Sequence, residues 1–216
     1  MRSIQYCFLC FTILILSFSP FGQAQEKPAE KPKLMGRVLV PPTTGFRAEF
    51  LEELTYYEQR YTKLADAMPA EKYAWRPGEG VRSVGEVFAH IAVANYLVGR
   101  TLNPLPPGAN YGVDSQTVAK TTMALSGDKP KLIQALKDSF AALRSDVLQL
   151  NDEDADRSQK MFNRSTTLRG SFVVITGHFG EHLGQSIAYA RMNGVVPPWT
   201  EESQQQQQKP GDKPKP

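Results

Sequence analysis

The sequence predicts an all-α protein, a four-helix bundle with disordered N- and C-terminal tails. Four long segments repeat apolar residues at steps of three and four, the period of an amphipathic helix. Strand-like runs of Val and Ile bounded by turns are absent, and both chain ends are rich in Lys and Pro. Four helices with one apolar stripe each bury those stripes most simply against one another.

The first 24 residues have the pattern of a secretory signal peptide. Arg2 precedes an apolar run from Cys7 to Phe18, and the small residues that follow are typical of a cleavage site after Ala24. A membrane anchor is the alternative, but this run is shorter than the roughly 20 residues that span a bilayer. We therefore expect an exported protein, periplasmic or secreted, with no membrane span after cleavage. Both cysteines, Cys7 and Cys10, lie in this segment, so the mature chain would contain no thiol.

Composition divides the rest of the chain into three parts. Residues 25–42 form a Lys/Pro-rich leader and residues 201–216 a Gln/Lys/Pro-rich tail, both expected to be disordered. One helical domain, residues 43–200, lies between them. The net charge is only +3 and charges of both signs alternate along the chain, so we expect no nucleic-acid partner.

Start and stop signals place the first two long helices. The first follows an apolar stripe from Phe46 to Met68 and is ended by Pro69. The second begins after Ser83, where Glu86 three residues later completes a capping box. A proline-rich loop follows, and residues 115–125 are expected to hold a short helix.

The last two long helices have equally local signals. Asp128 and Pro130 open the third, which ends before the acidic loop of residues 151–156. The fourth runs from about Arg169 to Asn193 and is closed by Gly194.

The chain contains only three histidines, and their spacing predicts a metal site. His178 and His182 are four residues apart and share one face of the fourth helix, beside its apolar side. His90 lies on the apolar side of the second helix. Three imidazoles would hold a divalent ion at about 2.0–2.1 Å and leave a coordination position open for water or substrate. Zinc, nickel, copper and iron all suit such ligands.

Ordinary interior histidines are the alternative to a metal site. Each buried polar group without a hydrogen bond costs roughly 1–3 kcal/mol, so three neutral imidazoles in one bundle would need three separate partners. One shared metal ion satisfies all three.

Three other residues are candidates for positions next to the metal or substrate. Glu86, one turn before His90, could reach the ion or a bound water, although its capping role also explains it. Gln185, one turn after His182, could orient a water or substrate. Trp75 could cover one wall of a pocket formed by residues 73–81 and 102–112, or support the bundle end. Tyr189 is either core packing or an acid.

The segment from His178 to His182 also matches the H-x-x-E-H pattern of inverted zinc peptidases, in which the glutamate activates water. Glu181, however, lies about 100° from His182 around the helix and turns toward the polar side. We interpret it as a solvated residue or a neighbour of the ligands. The sequence identifies no catalytic residue.

Two segments, Trp75–Ile91 and His178–Pro198, resemble the second-helix signature and the closing helix and turn of the DinB-like family. The resemblance implies an antiparallel four-helix bundle with a divalent metal held by one histidine of helix two and two of helix four. Those positions correspond to His90, His178 and His182. The family includes metal-dependent hydrolases and transferases or isomerases that use low-molecular-weight thiols.

These considerations leave three functional hypotheses for an unspecified small molecule. The first is a metal-dependent hydrolase, and the second is a bundle that binds a metal or ligand without turnover. The third is a thiol-dependent transferase or isomerase, which an exported location disfavours because reduced thiols are scarce outside the cytoplasm.

Glycines recur every seven residues along the fourth helix, at Gly170, Gly177 and Gly184. Each costs about 1 kcal/mol relative to alanine in a helix interior, so a close helix contact is expected to compensate. A homodimer would supply that contact, and another helix of the same chain is the alternative.

Overall fold

The computed structural model describes residues 40–103 and 112–200, and most of these are helical. Predictions for the signal peptide, the proline-rich loop, the C-terminal tail and nearly all of the leader concern residues outside these ranges. The α-helices are α1 (Phe46–Ala67), α2 (Val84–Leu102), α3 (Ser115–Met123), α4 (Lys129–Leu148) and α5 (Leu168–Met192). Short 3-10 turns follow α1 at Ala70–Lys72 and α4 at Asp152–Asp154.

The predicted four-helix bundle is confirmed, and α1, α2, α4 and α5 form it. Both α1 and α2 pack against α4 and α5, so α1 and α2 lie diagonally opposite each other. The short α3 packs against α2. The apolar stripes meet in one core, whose largest fully buried side chains include Tyr61, Tyr73, Phe88, Phe140 and Phe179.

Side-chain contacts give the direction of each helix in the bundle. α1 runs antiparallel to α4, because Glu58 pairs with Arg144 at 2.7 Å whereas Met68, past the end of α1, accepts a hydrogen bond from Lys129 at the start of α4.

Two neighbouring pairs of helices run parallel. α1 and α5 do so because Phe50 stacks on Phe172 and Tyr57 meets Phe179 further along both helices. α2 and α4 do so because the start of α2 contacts the turn before α4, and Asn95 donates a hydrogen bond to Ser139 at 3.0 Å further on. The helix directions therefore follow the order up, down, down, up, with α2 antiparallel to α5.

The predicted helix boundaries follow from local hydrogen bonds. Ser83 and Glu86 form the complete capping box that begins α2, as predicted. The Asp128 carboxylate caps α4, and the Thr167 hydroxyl caps α5, whose first residue, Leu168, lies one residue before the predicted start. α5 ends in a Schellman turn, in which Gly194 has a φ of +76° and Val195 donates its N–H to the carbonyl of Ala190 at 2.9 Å.

One element was not predicted, a two-stranded antiparallel hairpin between α4 and α5. Its strands are β1 (Ser158–Met161) and β2 (Arg164–Thr167), with Met161 opposite Arg164. These four-residue strands contain no Val or Ile, so no strand pattern announces them. The strands pack against α5 and α2, and Met161 is buried in the core. These tertiary contacts, rather than intrinsic β propensity, stabilise the hairpin.

Within the described ranges, no helix is both long and apolar enough to cross a membrane.

Candidate metal centre

The three histidines meet at the contact between α2 and α5. Each offers one ring nitrogen, and these nitrogens lie within 4.8 Å of one another. His90 comes from the middle of α2, and His178 and His182 come from successive turns of α5. His182 is buried, whereas the other two rings are half-buried. The fold thus brings together the three residues that the sequence proposed as ligands.

The separation of two of these nitrogens matches shared metal coordination. Nε2 of His90 and Nε2 of His178 are 3.2 Å apart. Two nitrogen ligands at 2.0–2.1 Å from one tetrahedral ion lie about 3.3–3.4 Å apart. A hydrogen bond across this distance would require a proton on one of the two Nε2 atoms. In the tautomer with the proton on Nδ1, both Nε2 lone pairs are available to a metal.

The surroundings keep two of the imidazoles neutral. Burial lowers the pKa of His90 to about 4, and the positive charge of Arg82 and the other two imidazoles contribute to the shift. Burial also lowers the pKa of His178 to about 4, with contributions from His182 and Arg82 that Glu181 partly opposes. Neutral imidazoles are the form that binds metals, so both rings are ready to coordinate at neutral pH.

A chain of polar and aromatic contacts holds His182 from the side. Its Nδ1 is 2.9 Å from Oε1 of Gln185, and Nε2 of Gln185 donates to the hydroxyl of Tyr189 at 3.0 Å. Because Oε1 can only accept, His182 carries its proton on Nδ1 and keeps the lone pair on Nε2. The ring of Trp75 packs edge-on against Tyr189, with centroids 5.4 Å apart.

These contacts place two of the predicted residues. Gln185 lies next to a candidate ligand and fixes its tautomer. Trp75 is half-buried at the bundle end and contacts the cluster through Tyr189 and Gln185. Tyr189 itself is buried in the core.

Glu86 uses both carboxylate oxygens away from the histidines. Oε2 accepts the backbone N–H of Ser83 at 2.7 Å, and Oε1 pairs with Arg76 at 3.1 Å. The Ser83 N–H and then the Arg76 guanidinium lower the pKa of Glu86 despite partial desolvation. This carboxylate therefore caps and stabilises the N-terminus of α2. Glu181 is exposed, in agreement with its predicted polar side.

The hairpin adds an aromatic residue to the cluster that the sequence analysis missed. The ring of Phe162 lies 5.1 Å from the ring of His178, and 48% of Phe162 is exposed. Phe162 and Asn163 form the turn between the strands with φ values of +47° and +63°. Left-handed backbone costs roughly 1–2 kcal/mol for a residue such as Phe. Asn163, a residue that tolerates positive φ, was the one sequence signal for this turn.

Arg82 is the second residue that the sequence analysis missed. Its guanidinium lowers the pKa of both His90 and His178, which places a positive charge near the cluster. Arg82 is exposed, and the described part of the chain shows no hydrogen bond or ion pair to it. It lies within the segment Trp75–Ile91, but the sequence assigned it no role, because that role depends on how the loop before α2 meets α5.

The predicted pocket walls are only partly described, since residues 104–111 lie outside the described ranges. A separate groove of about 530 Å³ lies between α1 and the first turns of α5. Phe46, Phe50 and Phe172 line it together with Glu49, Glu53 and Arg169, and no histidine does. This groove is therefore not part of the histidine cluster.

The glycines of α5 do not pack as a set. A Cβ on Gly177 or Gly184 would meet no atom within 4 Å, whereas one on Gly170 would overlap the Thr166 hydroxyl. The alternative to a homodimer, contact with another helix of the same chain, is thus wrong for Gly177 and Gly184 within the described residues. Val173, one turn before Gly177, is 74% exposed on the same face.

Comparison with known proteins identifies a family. The family model of the DinB superfamily matches residues 53–186, well over half of the chain and a span that includes all three histidines. No curated protein matches the chain.

Two solved structures are similar to this chain. A DinB-like protein from Bacillus subtilis has 22% sequence identity and a TM-score of 0.45, and the match covers 68% of this chain and 93% of that one. A DinB-like protein from Bacillus cereus has 25% identity and a TM-score of 0.46, with coverage of 69% and 93%.

Proposed function

The chain belongs to the DinB superfamily, and on this premise we propose that it binds one divalent transition-metal ion and uses it to hydrolyse a small molecule. His90, His178 and His182 are the proposed ligands. The observation that carries the proposal is the approach of three ring nitrogens to within 4.8 Å, two of them 3.2 Å apart, from helices that are distant in sequence. Zinc, nickel and iron are the candidate ions for three imidazoles.

Bound there, a divalent ion would lower the pKa of water to about 7 and polarise a scissile bond. The chain's own residues prepare the site in three ways. Burial keeps His90 and His178 neutral, and Gln185 orients His182 through its Nδ1–H. The guanidinium of Arg82 supplies positive charge to attract an anionic group of a substrate.

A non-catalytic metal-binding or ligand-binding bundle is the second candidate, and the carboxylates next to the histidines favour it. Glu86 is committed to the start of α2, and Glu181 is exposed on the outer side of α5. Neither is placed as a general base. A metal-loaded protein without an exchangeable water ligand would support binding alone, whereas activity that requires added thiol would indicate a transferase.

Elemental analysis of the purified, untagged protein tests metal binding. The wild type, His90→Ala, His178→Ala and the control Glu181→Gln are prepared without chelators. We expect about one transition-metal ion per chain in the wild type and the control, and less than a tenth of that in the two histidine variants. A wild type that takes up neither zinc, nickel nor iron would contradict the proposal.

Hydrolysis is tested on the same samples. Ester, amide and phosphoester libraries are screened with the loaded wild type, and hits are repeated with His178→Ala. Turnover that follows metal content across the variants is expected of a hydrolase. Full metal occupancy without turnover or water exchange would favour the non-catalytic bundle.

We also propose export to the periplasm or the medium, on the basis of residues 1–24. The mass of the chain recovered from its native host tests this, because cleavage after Ala24 leaves Gln25 as the first residue. A recovered chain that retains residues 1–24 would contradict export by this route.

A homodimer through the outer face of α5 is likewise a proposal. Open space at Gly177 and Gly184 and the exposed Val173 support it. Light scattering on a sizing column should give twice the chain mass for the wild type and for the control Val196→Arg, whose side chain is exposed elsewhere. Val173→Arg should give a monomer. A monomeric wild type would exclude the dimer.

A further inference from the structure

The tip of the hairpin presents an aromatic ring at the edge of the histidine cluster. Phe162 lies with its ring 5.1 Å from that of His178 and inclined by 37° to it. Half of the side chain remains exposed, although the core of the bundle lies close by. One surface of the Phe162 ring therefore faces His178, and another is available to a molecule that enters from solvent.

Folding stability does not account for Phe at this position. The turn needs positive φ at both central residues, and Gly, Asn and Asp satisfy that requirement with less strain than Phe. An exposed aromatic ring also forgoes much of the free energy that its burial would provide. Strained residues of this kind cluster at ligand-binding sites, where the surrounding structure holds them in place.

The surrounding structure does hold this hairpin in place. Met161 is buried in the core. Gln159 donates to the carbonyl of Thr101 at 3.0 Å, and Arg157 donates to the carbonyl of Leu102 at 2.8 Å, so the hairpin is tied to the last turn of α2. The position of Phe162 is thus set by the same two helices, α2 and α5, that carry the histidines.

We propose that Phe162 forms an apolar wall of the ligand site, and that the ligand carries an aromatic group next to the atoms that bind the metal. This inference rests on the proposed metal site and specifies which class of small molecule enters it. Edge-to-face or offset stacking on Phe162 would orient that aromatic group.

Two hydroxamates test the inference, because they share one metal-binding group and differ only beside it. Acetohydroxamate carries a methyl group and benzohydroxamate a phenyl ring. Calorimetric titrations of the zinc-loaded full chain give the affinity of each for the wild type, Phe162→Ala and Phe162→Gly. Val173→Ala, which removes an exposed apolar side chain from another face of α5, is the matched control.

We expect the wild type and Val173→Ala to bind benzohydroxamate about three- to tenfold more tightly than acetohydroxamate. Both Phe162 variants should lose this preference while keeping the acetohydroxamate affinity within about twofold. Phe162→Gly also relieves the turn, so it guards against a misfolded Phe162→Ala protein.

The outcomes separate this inference from the proposed function. An equal preference for benzohydroxamate in the wild type and the Phe162 variants, or no preference in the wild type, would overturn the role of Phe162 and leave the metal site intact. Failure of the wild type to bind zinc would overturn the proposed function and this inference with it.

Discussion

Helices α2 and α5 both carry proposed metal ligands and interior glycines, yet they occupy different environments. Thirteen of the 19 residues of α2 are buried, compared with ten of the 25 residues of α5. α2 is packed on by α3, α4, α5 and the hairpin, whereas α5 leaves one long side open. We therefore expect α2 to tolerate few substitutions and the open side of α5 to tolerate many.

The glycines show the difference most directly. A Cβ on Gly85 would overlap the backbone carbonyl of Ser126, and one on Gly99 would overlap the carboxylate of Asp146. On α5, Gly177 and Gly184 face open space. The same residue type thus permits close packing at Gly85 and Gly99 in α2 and serves no contact at Gly177 and Gly184 within the described part of the chain.

The largest expected effect that tests this contrast is on stability. Gly85→Ala should lower the free energy of unfolding by about 3 kcal/mol, because the new methyl group must displace the Ser126 backbone. In the Val173→Arg background, which lacks the proposed dimer contact, Gly184→Ala should raise it by about 1 kcal/mol through helix propensity. Urea unfolding measures both. Equal effects of the two substitutions would show that the turn at Ser126 is not tightly packed on α2.

A smaller effect, on metal affinity, compares the ligands of the two helices. Gln185→Ala should weaken metal binding about 10- to 100-fold, because His182 on α5 loses the acceptor that orients its Nδ1–H. Gln185→Glu keeps an acceptor at this position and should stay near the wild type. Competition with a chromophoric chelator measures the affinities. Unchanged binding in Gln185→Ala would mean that packing alone orients His182.

A further expected effect concerns pH. His90 on α2 and His178 on α5 both have a pKa of about 4 in the folded protein, below the ordinary value of about 6.5. Between these values the unfolded chain binds more protons, so the metal-free protein should lose stability as the pH falls from about 6.5 to 4.

Variants isolate this contribution from that of the carboxylates. His90→Gln and His178→Gln should each flatten the dependence of the unfolding free energy on pH over this range by a similar amount. Urea unfolding at a series of pH values is the measurement. A slope that neither variant changes would show that the two rings are as accessible to protons as in the unfolded chain.

Much of the fold followed from local sequence signals. Pro69, the Ser83 capping box and the Asp128 cap act within a few residues of their own position, so the helix ends they predict agree with the structure. The hairpin escaped prediction because its strands lack a β pattern and depend on distant partners. Its tip, Phe162, was therefore missed as a neighbour of the histidines.

The candidate site divides in the same way. His178 and His182 share a helix face because four residues make about one turn, and that spacing is visible in the chain. Two features were not visible. The capping role of Glu86 was recognised, but its second bond, to Arg76, was not. The hydrogen bonds from His182 through Gln185 to Tyr189 lie within α5, but the packing of Trp75 against Tyr189 joins distant segments and was not visible.

The sequence by itself determined the helical class, the helix ends and the two histidines of α5, because hydrogen bonds and periodicity within one segment decide them. Only the tertiary structure decided that Nε2 of His90 would lie 3.2 Å from Nε2 of His178 and that Phe162 would cover one edge of the cluster. It also decided that the turn at Ser126 would pack against Gly85. Those features depend on how side chains of distant segments pack together, and the pattern of a single segment does not contain that information.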